Sequence, residues 1–450
     1  MNLKQRIHRW QLAGLCLTMI IGLFGCAGAP ADQEQSSSEQ RRQTAADSLE
    51  ALKQQRRSED ETQKESHIRI DPLGYGSRDV KTAYFFGNDL QDVFWVIDAK
   101  DRSRVFEGRL QQIPRKGDQT LVLRGDFSAL TQPGEYYIQT AVIGQSPVFT
   151  IRQEGMQLIE TQMLTAWDER SAGFAEQTQQ EQFCDNAAGL MALSAACELY
   201  FPADSMAYQS LAAGAGALLQ AGRSIIESGR ITQRQTAYFC SAMAMTAYVL
   251  GEDSAAEPLR QGALAAYEQI PASGTDEADT EAVLCARAAL YRLTQDRRYA
   301  DALEGYLADV TIYTPQNFYI VYCYLTTRKN VDIDLCNDLM KTLIETCTDR
   351  SQQITAEGML FLPDGPAGND GRTSAGRASD EQADARRQAL FSATLLSLAD
   401  HVLVSREYRR SVSQICHELS MGGLLDPTDM NAEELAQAYK MAAAQAAEED

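Results

Sequence analysis

The chain carries 62 Asp and Glu among its 450 residues, so only spacing can single out carboxylates for chemistry. In NAEELAQAY, Glu433 and Glu434 are adjacent and could serve proton transfer. The same pair also fits the charged first turn of a terminal helix, where carboxylates favour the helix dipole. In AWDERSAGF, Asp168 and Glu169 stand beside Trp167 and Arg170. In TDEADTEA, Asp276 and Asp279 would share one helix face, which equally describes an N-terminal cap followed by acidic first-turn residues. The Gly- and Asp-rich segment LPDGPAGNDGRTSAGRASDEQADA offers aspartates from Asp364 to Asp384. Calcium is chemically possible there, but their spacing matches no Ca²⁺ loop, so no cofactor and no metal is expected. A sugar-binding surface would instead need aromatic side chains along a groove, and Trp167, Tyr238, Tyr313, Phe318 and Tyr322 are the candidates, each also suited to a core.

Other chemistries are poorly served. Of ten cysteines, eight (Cys184, Cys197, Cys240, Cys285, Cys323, Cys336, Cys347 and Cys416) lie singly in apolar helical runs without a C-x-x-C. They read as small buried residues rather than zinc ligands or a redox pair. The histidines are His8, His67, His401 and His417; His417 sits inside an apolar helix and reads as packed. No G-x-S-x-G, P-loop or dinucleotide fingerprint occurs. The formal net charge of -21 argues against nucleic-acid or anionic-lipid binding, which needs a basic face, and leaves a neutral polysaccharide or oligosaccharide, or a cationic partner.

The elements that must position these residues fall into two textures. Over 67–152, short alternating runs (KTAYFFG, VFWVID, RVFEGRL, QTLVLRG, GEYYIQTAVI, PVFTI) are separated by turn material such as DAKDRS and TQPG. About seven strands in that length predict an immunoglobulin-like β-sandwich. Over 153–450, about twelve helical segments with short polar connections follow, several apolar nearly all round. Twelve antiparallel helices predict an (α/α)6 toroid. A superhelix of helix pairs competes, although no fixed-length repeat is visible. The segment Leu362–Ala385 is expected to be a loop at one mouth of this assembly.

The N-terminus predicts export. Lys4, Arg6 and Arg9 precede the apolar run LAGLCLTMIIGLFG, a signal peptide over 1–25. Its end, LFGC, resembles the bacterial lipobox, which implies a lipid anchor on Cys26 at the outer face of a bacterial membrane. Residues 26–66 lack aromatics and read as a disordered tether.

IRIDPLGYGSRDVKTAYF resembles the opening of the immunoglobulin-like domain of family 9 glycoside hydrolases, the cellulase-type endoglucanases, at Ile68, Asp71, Gly74, Tyr75, Lys81 and Ala83. The resemblance continues through Asp126, Phe127, Ser128, Gly134, Tyr136, Ser146, Phe149 and Ile151. NAAGLMALSAACELYFP and LCARAALYRLTQDRRYADAL look like helices of the toroid that follows in that family. The resemblance implies inverting hydrolysis of a β-1,4-glycosidic bond, by one carboxylate that activates water and one carboxylic acid that protonates the leaving oxygen. The family's D-A-G-D base motif falls, counted back from Asn186 without a gap, on Glu176, Gln177, Thr178 and Gln179. An amide cannot take a proton from water, so Gln179 marks a degenerate base position. A shifted alignment would bring Glu181 or Asp185 into place. The acid of N-E-V-A-I-D-W corresponds to Glu433 or Glu434, and the histidine-arginine clamp is missing from HELSMGGLLDPTDM. The resemblance also places Trp167 and Arg170 near an aromatic-arginine segment of the substrate site. The expectation is a surface lipoprotein that binds β-glucan or another polysaccharide with lost or reduced catalysis. The alternative is an active inverting endo-β-1,4-glucanase.

Overall fold

A computed structural model describes residues 67–446 apart from 88–91, 114–120, 154–156, 204, 271–276 and 359–374. These residues belong to one unit, Leu49–Asp450. The signal peptide, Cys26, the tether, Asp276 and the Asp364–Asp370 stretch lie outside the described residues.

Eight strands come first: β1 (Ile68–Arg69), β2 (Tyr75–Gly76), β3 (Thr82–Phe86), β4 (Val93–Asp98), β5 (Arg104–Gln112), β6 (Val122–Asp126), β7 (Gly134–Gln139) and β8 (Phe149–Arg152). Their order is β1-β3-β6-β5-β4-β7-β8-β2, antiparallel except for β2 beside β8. The long β5 turns the corner of the sandwich: Arg104–Arg109 pairs with β4, and Leu110–Gln112 pairs with β6. Alternation does the folding work. In VFWVID, Phe94 and Val96 are buried while Trp95 faces outward, and in GEYYIQ the buried pair is Tyr136 and Ile138. The run GEYYIQTAVI stops pairing at Gln139, because Gly144, at φ +87°, turns the chain so that Thr140 N–H donates to Gly144 O at 2.9 Å.

Twelve helices follow: α1 (Gln157–Ser171), α2 (Gln180–Tyr200), α3 (Met206–Glu227), α4 (Gln233–Leu250), α5 (Ala256–Tyr267), α6 (Glu277–Thr294), α7 (Asp301–Ala308), α8 (Pro315–Leu325), α9 (Ile333–Glu357), α10 (Ala375–Leu403), α11 (Arg406–Met421) and α12 (Ala432–Ala446). Even-numbered helices touch in series, α2 to α4, α4 to α6, α6 to α8, α10 to α12, and α12 back to α2. Between α8 and α10, Phe318 meets Phe391 edge-on at 6.3 Å. The odd helices back onto this inner ring, which gives the expected double layer. Small residues let the inner helices approach: a Cβ on Gly189 of α2 would sit 2.7 Å from Ala432 O and 2.9 Å from Trp167. Starts are well marked, with capping boxes at Thr232/Gln235 and at Thr314/Asn317, the latter with Pro315 in the first turn. One expectation is corrected: residues 375–385 are not loop but the opening turns of α10, since Ala, Arg, Glu and Gln there propagate a helix once it has begun.

The sandwich docks onto α11 through buried polar groups. His417 Nδ1 lies 2.6 Å from Asp71 Oδ2, and Nε2 lies 3.3 Å from Asp79 Oδ2. The Ser420 hydroxyl donates to Asp71 Oδ1 at 2.6 Å, and Tyr84 O–H donates to Glu418 Oε1 at 2.6 Å. His417 is thus packed, as its apolar helix implied, but as the centre of an ionic clasp. All eight cysteines of the helical region are free thiols, and all but Cys336 are buried.

Candidate functional site

The N-terminal halves of α4, α6, α8 and α12, with the middle of α2, converge on a cleft of about 150 Å³. It is lined by Ala188 and Met191 of α2, Arg234, Tyr238 and Ser241 of α4, and Glu281, Ala282 and Cys285 of α6. Pro315, Gln316 and Tyr319 of α8, with Glu433 of α12, complete the wall. That volume matches the ~150 Å³ cavity known to accept a single benzene ring, so the cleft is sized for one ring. On α2 and α4 the lining residues recur three or four apart, which keeps them on one face.

The structure separates the two glutamates that the sequence left equivalent. Asn431 caps α12, its Oδ1 accepting from Glu434 N at 2.8 Å, while Glu434 Oε2 accepts from Asn431 N at 3.1 Å. Arg386 Nη2 donates to the same Glu434 oxygen at 2.9 Å and to Asp429 O at 2.9 Å. Glu434 is therefore a buried structural ion pair and half of a capping box. Glu433, one residue earlier, points into the cleft and takes one hydrogen bond, from Gln437 Nε2 at 2.9 Å. Burial, then the charges of Asp185 and Glu434, push its carboxyl up to about 7, with Gln437 pulling the other way. Near neutral pH Glu433 is thus a proton carrier facing the cavity.

Asp185 stands one turn before Ala188 on α2, half-buried. Burial raises its carboxyl first and Glu181 and Glu434 add to the shift, while Arg170 and Arg234 oppose it. Because Asp185 also acts on Glu433, these two carboxyls share one electrostatic neighbourhood. Arg170 contributes to that field but does not line the cleft.

The amide run packs as a seam between α2 and α4. Glu176 is exposed in a 3-10 turn over Phe174–Glu176, and Gln179 is the exposed N-cap of α2 without a side-chain cap bond. Gln177 Oε1 accepts from Asn186 Nδ2 at 2.9 Å, and Gln235 Nε2 donates to Thr178 O at 3.3 Å. Neither Glu176 nor Gln179 lines the cleft. Of the proposed stacking aromatics, only Tyr238 does. Trp167 is 1% exposed and packs edge-on to Phe174 at 5.6 Å, a correction to its assignment as a substrate contact. Tyr313, Phe318 and Tyr322 are core as well; the Tyr322 hydroxyl donates to Glu198 Oε2 at 2.6 Å. Sequence reasoning missed Tyr319, Arg234, Gln316 and Glu281. The signal that finds them is position, since each lies in the first two turns of an even helix. Among the described residues no group of three or more His, Cys, Asp or Glu is placed to hold a metal ion.

Residues 63–145 match the family model described as the cellulase N-terminal ig-like domain. Among solved structures, the chain is similar to a metagenome-derived glycoside hydrolase family 9 endoglucanase, with a TM-score of 0.60 at 17% identity, covering 84% of this chain and 99% of that one. It is similar to a Bacteroides ovatus GH9 protein with a TM-score of 0.64 at 12% identity, covering 85% and 99%. The GH family 9 endoglucanase J30 aligns at 0.58 and 16% identity, over 76% of this chain and 82% of its own. Among curated proteins no sequence matches. At these identities the structural likeness carries the fold alone: a cellulase-type ig-like sandwich joined to a twelve-helix ring, arranged as in family 9 endoglucanases.

Proposed function

We propose that the chain is a cell-surface glycan-binding protein on an endoglucanase fold, with hydrolysis lost or reduced. The observation that carries this reading is the cleft itself. It is a one-ring cavity walled by Tyr238 and Tyr319, with Ser241, Gln316, Glu433 and Glu281 as hydrogen-bonding groups. Aromatic faces with a few convergent polar groups suit a sugar ring. The amide at Gln179, capping α2 outside the cleft, supports loss of the water-activating base. A lipid anchor at Cys26 would hold the binding site on the outer face of the membrane.

A second reading, an inverting endo-β-1,4-glucanase, is favoured by one observation: Asp185 lies close enough to Glu433 to raise its carboxyl. Glu433 would donate the proton, and Asp185 would replace the missing base. The two readings part on turnover. Calorimetric titration with β-1,4-glucose tetramers is expected to show binding that Tyr238→Ala weakens by roughly tenfold, about 1.4 kcal/mol. Reducing-sugar release from soluble β-glucan is expected to stay at background. Turnover abolished by Glu433→Gln or Asp185→Asn would establish the second reading, and absence of any glycan binding would refute the first.

A further inference from the structure

Resting on the glycan reading above, we propose that the cleft selects a sugar ring bearing a protonated amine, as in a hexosamine polymer, over its uncharged counterpart. Two acidic side chains line the cavity from different helices, Glu433 on α12 and Glu281 on α6, together with the rings of Tyr238 and Tyr319. Carboxylates combined with aromatic faces are the chemistry that recognises an ammonium group. Each glutamate has one oxygen engaged by a neutral donor: Glu433 Oε1 by Gln437 at 2.9 Å, and Glu281 Oε1 by the Tyr306 hydroxyl at 3.2 Å. Neither donor supplies a positive charge.

Arg234 is the one cation in the wall, and its charge is already engaged. Its guanidinium lies 5.7 Å over the Tyr238 ring and acts on Asp185 at the rim. On the α12 side, the buried Arg386 is paired with Glu434. The cavity wall thus carries two acidic groups against one cation, Arg234. The charges of Asp185 and Glu434, which with burial raise Glu433, also act on a cation placed beside it. A neutral sugar draws nothing from that field. The net charge of -21 adds long-range attraction for a cationic polymer, which salt would screen.

The test is calorimetric titration of the full chain at neutral pH with three probes: a β-1,4-linked glucosamine tetramer, its N-acetylated form and the matching glucose tetramer. The glucosamine tetramer is expected to bind at least about tenfold more tightly than either neutral probe, with the margin shrinking as salt is raised. Glu281→Gln and Glu433→Gln are each expected to bring the charged-to-neutral ratio towards one, with thermal melts reporting that the variants are folded. Because Glu281 sits at the cavity wall and not in the ring core, its variant carries the test if Glu433→Gln fails to fold. Equal affinities for charged and neutral probes, or a preference that survives both substitutions, overturns the inference and leaves the glycan reading standing. Binding of none of the three overturns both.

Discussion

The buried clasp between sandwich and ring makes a quantitative prediction about pH. His417 is 1% exposed between two carboxylates of the sandwich, Asp71 at 2.6 Å and Asp79 at 3.3 Å. Burial alone would push the imidazole down; hydrogen bonds and charge from Asp71 and Asp79 outweigh it and lift His417 from 6.5 to about 9. A raised histidine contributes stability that is fully present below its unfolded value, near 6.5, and is lost as pH rises through about 9. At about 1.36 kcal/mol per unit, that window is worth ~3 kcal/mol, a large share of a typical stability of about 5–15 kcal/mol. Two other buried groups act oppositely over part of the same range. Lys81 and Lys440 are lowered by burial to about 8 and about 7, and their terms favour folding as pH rises above those values. The quantity to read is therefore a difference between proteins rather than one curve. Urea unfolding from pH 6 to 9.5 should show the parent losing ~3 kcal/mol relative to Asp79→Asn with His417→Gln, in which neither the imidazole nor one of its carboxylates remains. Equal pH slopes for parent and double variant would refute the ionised clasp.

The ring itself offers three further checks. Arg386→Met strips the buried Glu434 of its cation at the start of α12 and should cost about 3–5 kcal/mol in chemical unfolding, whether or not a glycan is bound. Gly189→Ala drives a Cβ to 2.7 Å from Ala432 O, so a loss of about 1–3 kcal/mol is expected, with weaker glycan binding in titration because the next residue, Glu433, must move. Gln179→Asp should fold at least as well as the parent by thermal melt, since the exposed amide makes no side-chain cap bond and aspartate is a preferred N-cap. In reducing-sugar assays it should still lack turnover, because residue 179 does not line the cleft.

The sandwich was legible because strand burial alternates with period two, and the outward Trp95 between buried Phe94 and Val96 is as plain in the sequence as in the fold. The helices were legible as helices but not as inner or outer. Residues 186–197 of α2 are buried on every side, so their sequence shows no face to orient them. Trp167 looked like a sugar contact because large aromatics serve cores and binding sites alike, and only the neighbouring Gly189 and Phe174 decide between them. The clasp was invisible for a different reason. His417 and Asp71 are 346 positions apart, and nothing in either local sequence announces the other. Glu433 and Glu434 were separable in principle, because Asn431 with an acid three residues later is a capping box, which leaves the intervening glutamate unclaimed.

That capping box also decides what kind of site remains. An inverting hydrolase needs two carboxyls whose proton affinities are driven apart, one protonated to release the leaving group and one ionised to activate water. Here the cap and Arg386 hold Glu434 out of the chemistry while its charge still raises its neighbours. Asp185 and Glu433 are raised together, because burial leads both shifts and Glu434 adds to each. The donor is thereby favoured and the acceptor weakened. Gln179 caps α2 without lining the cleft, and Gln177, two residues before it, is committed to Asn186. A cleft that raises both carboxyls together, burial first, favours the protonated form of each.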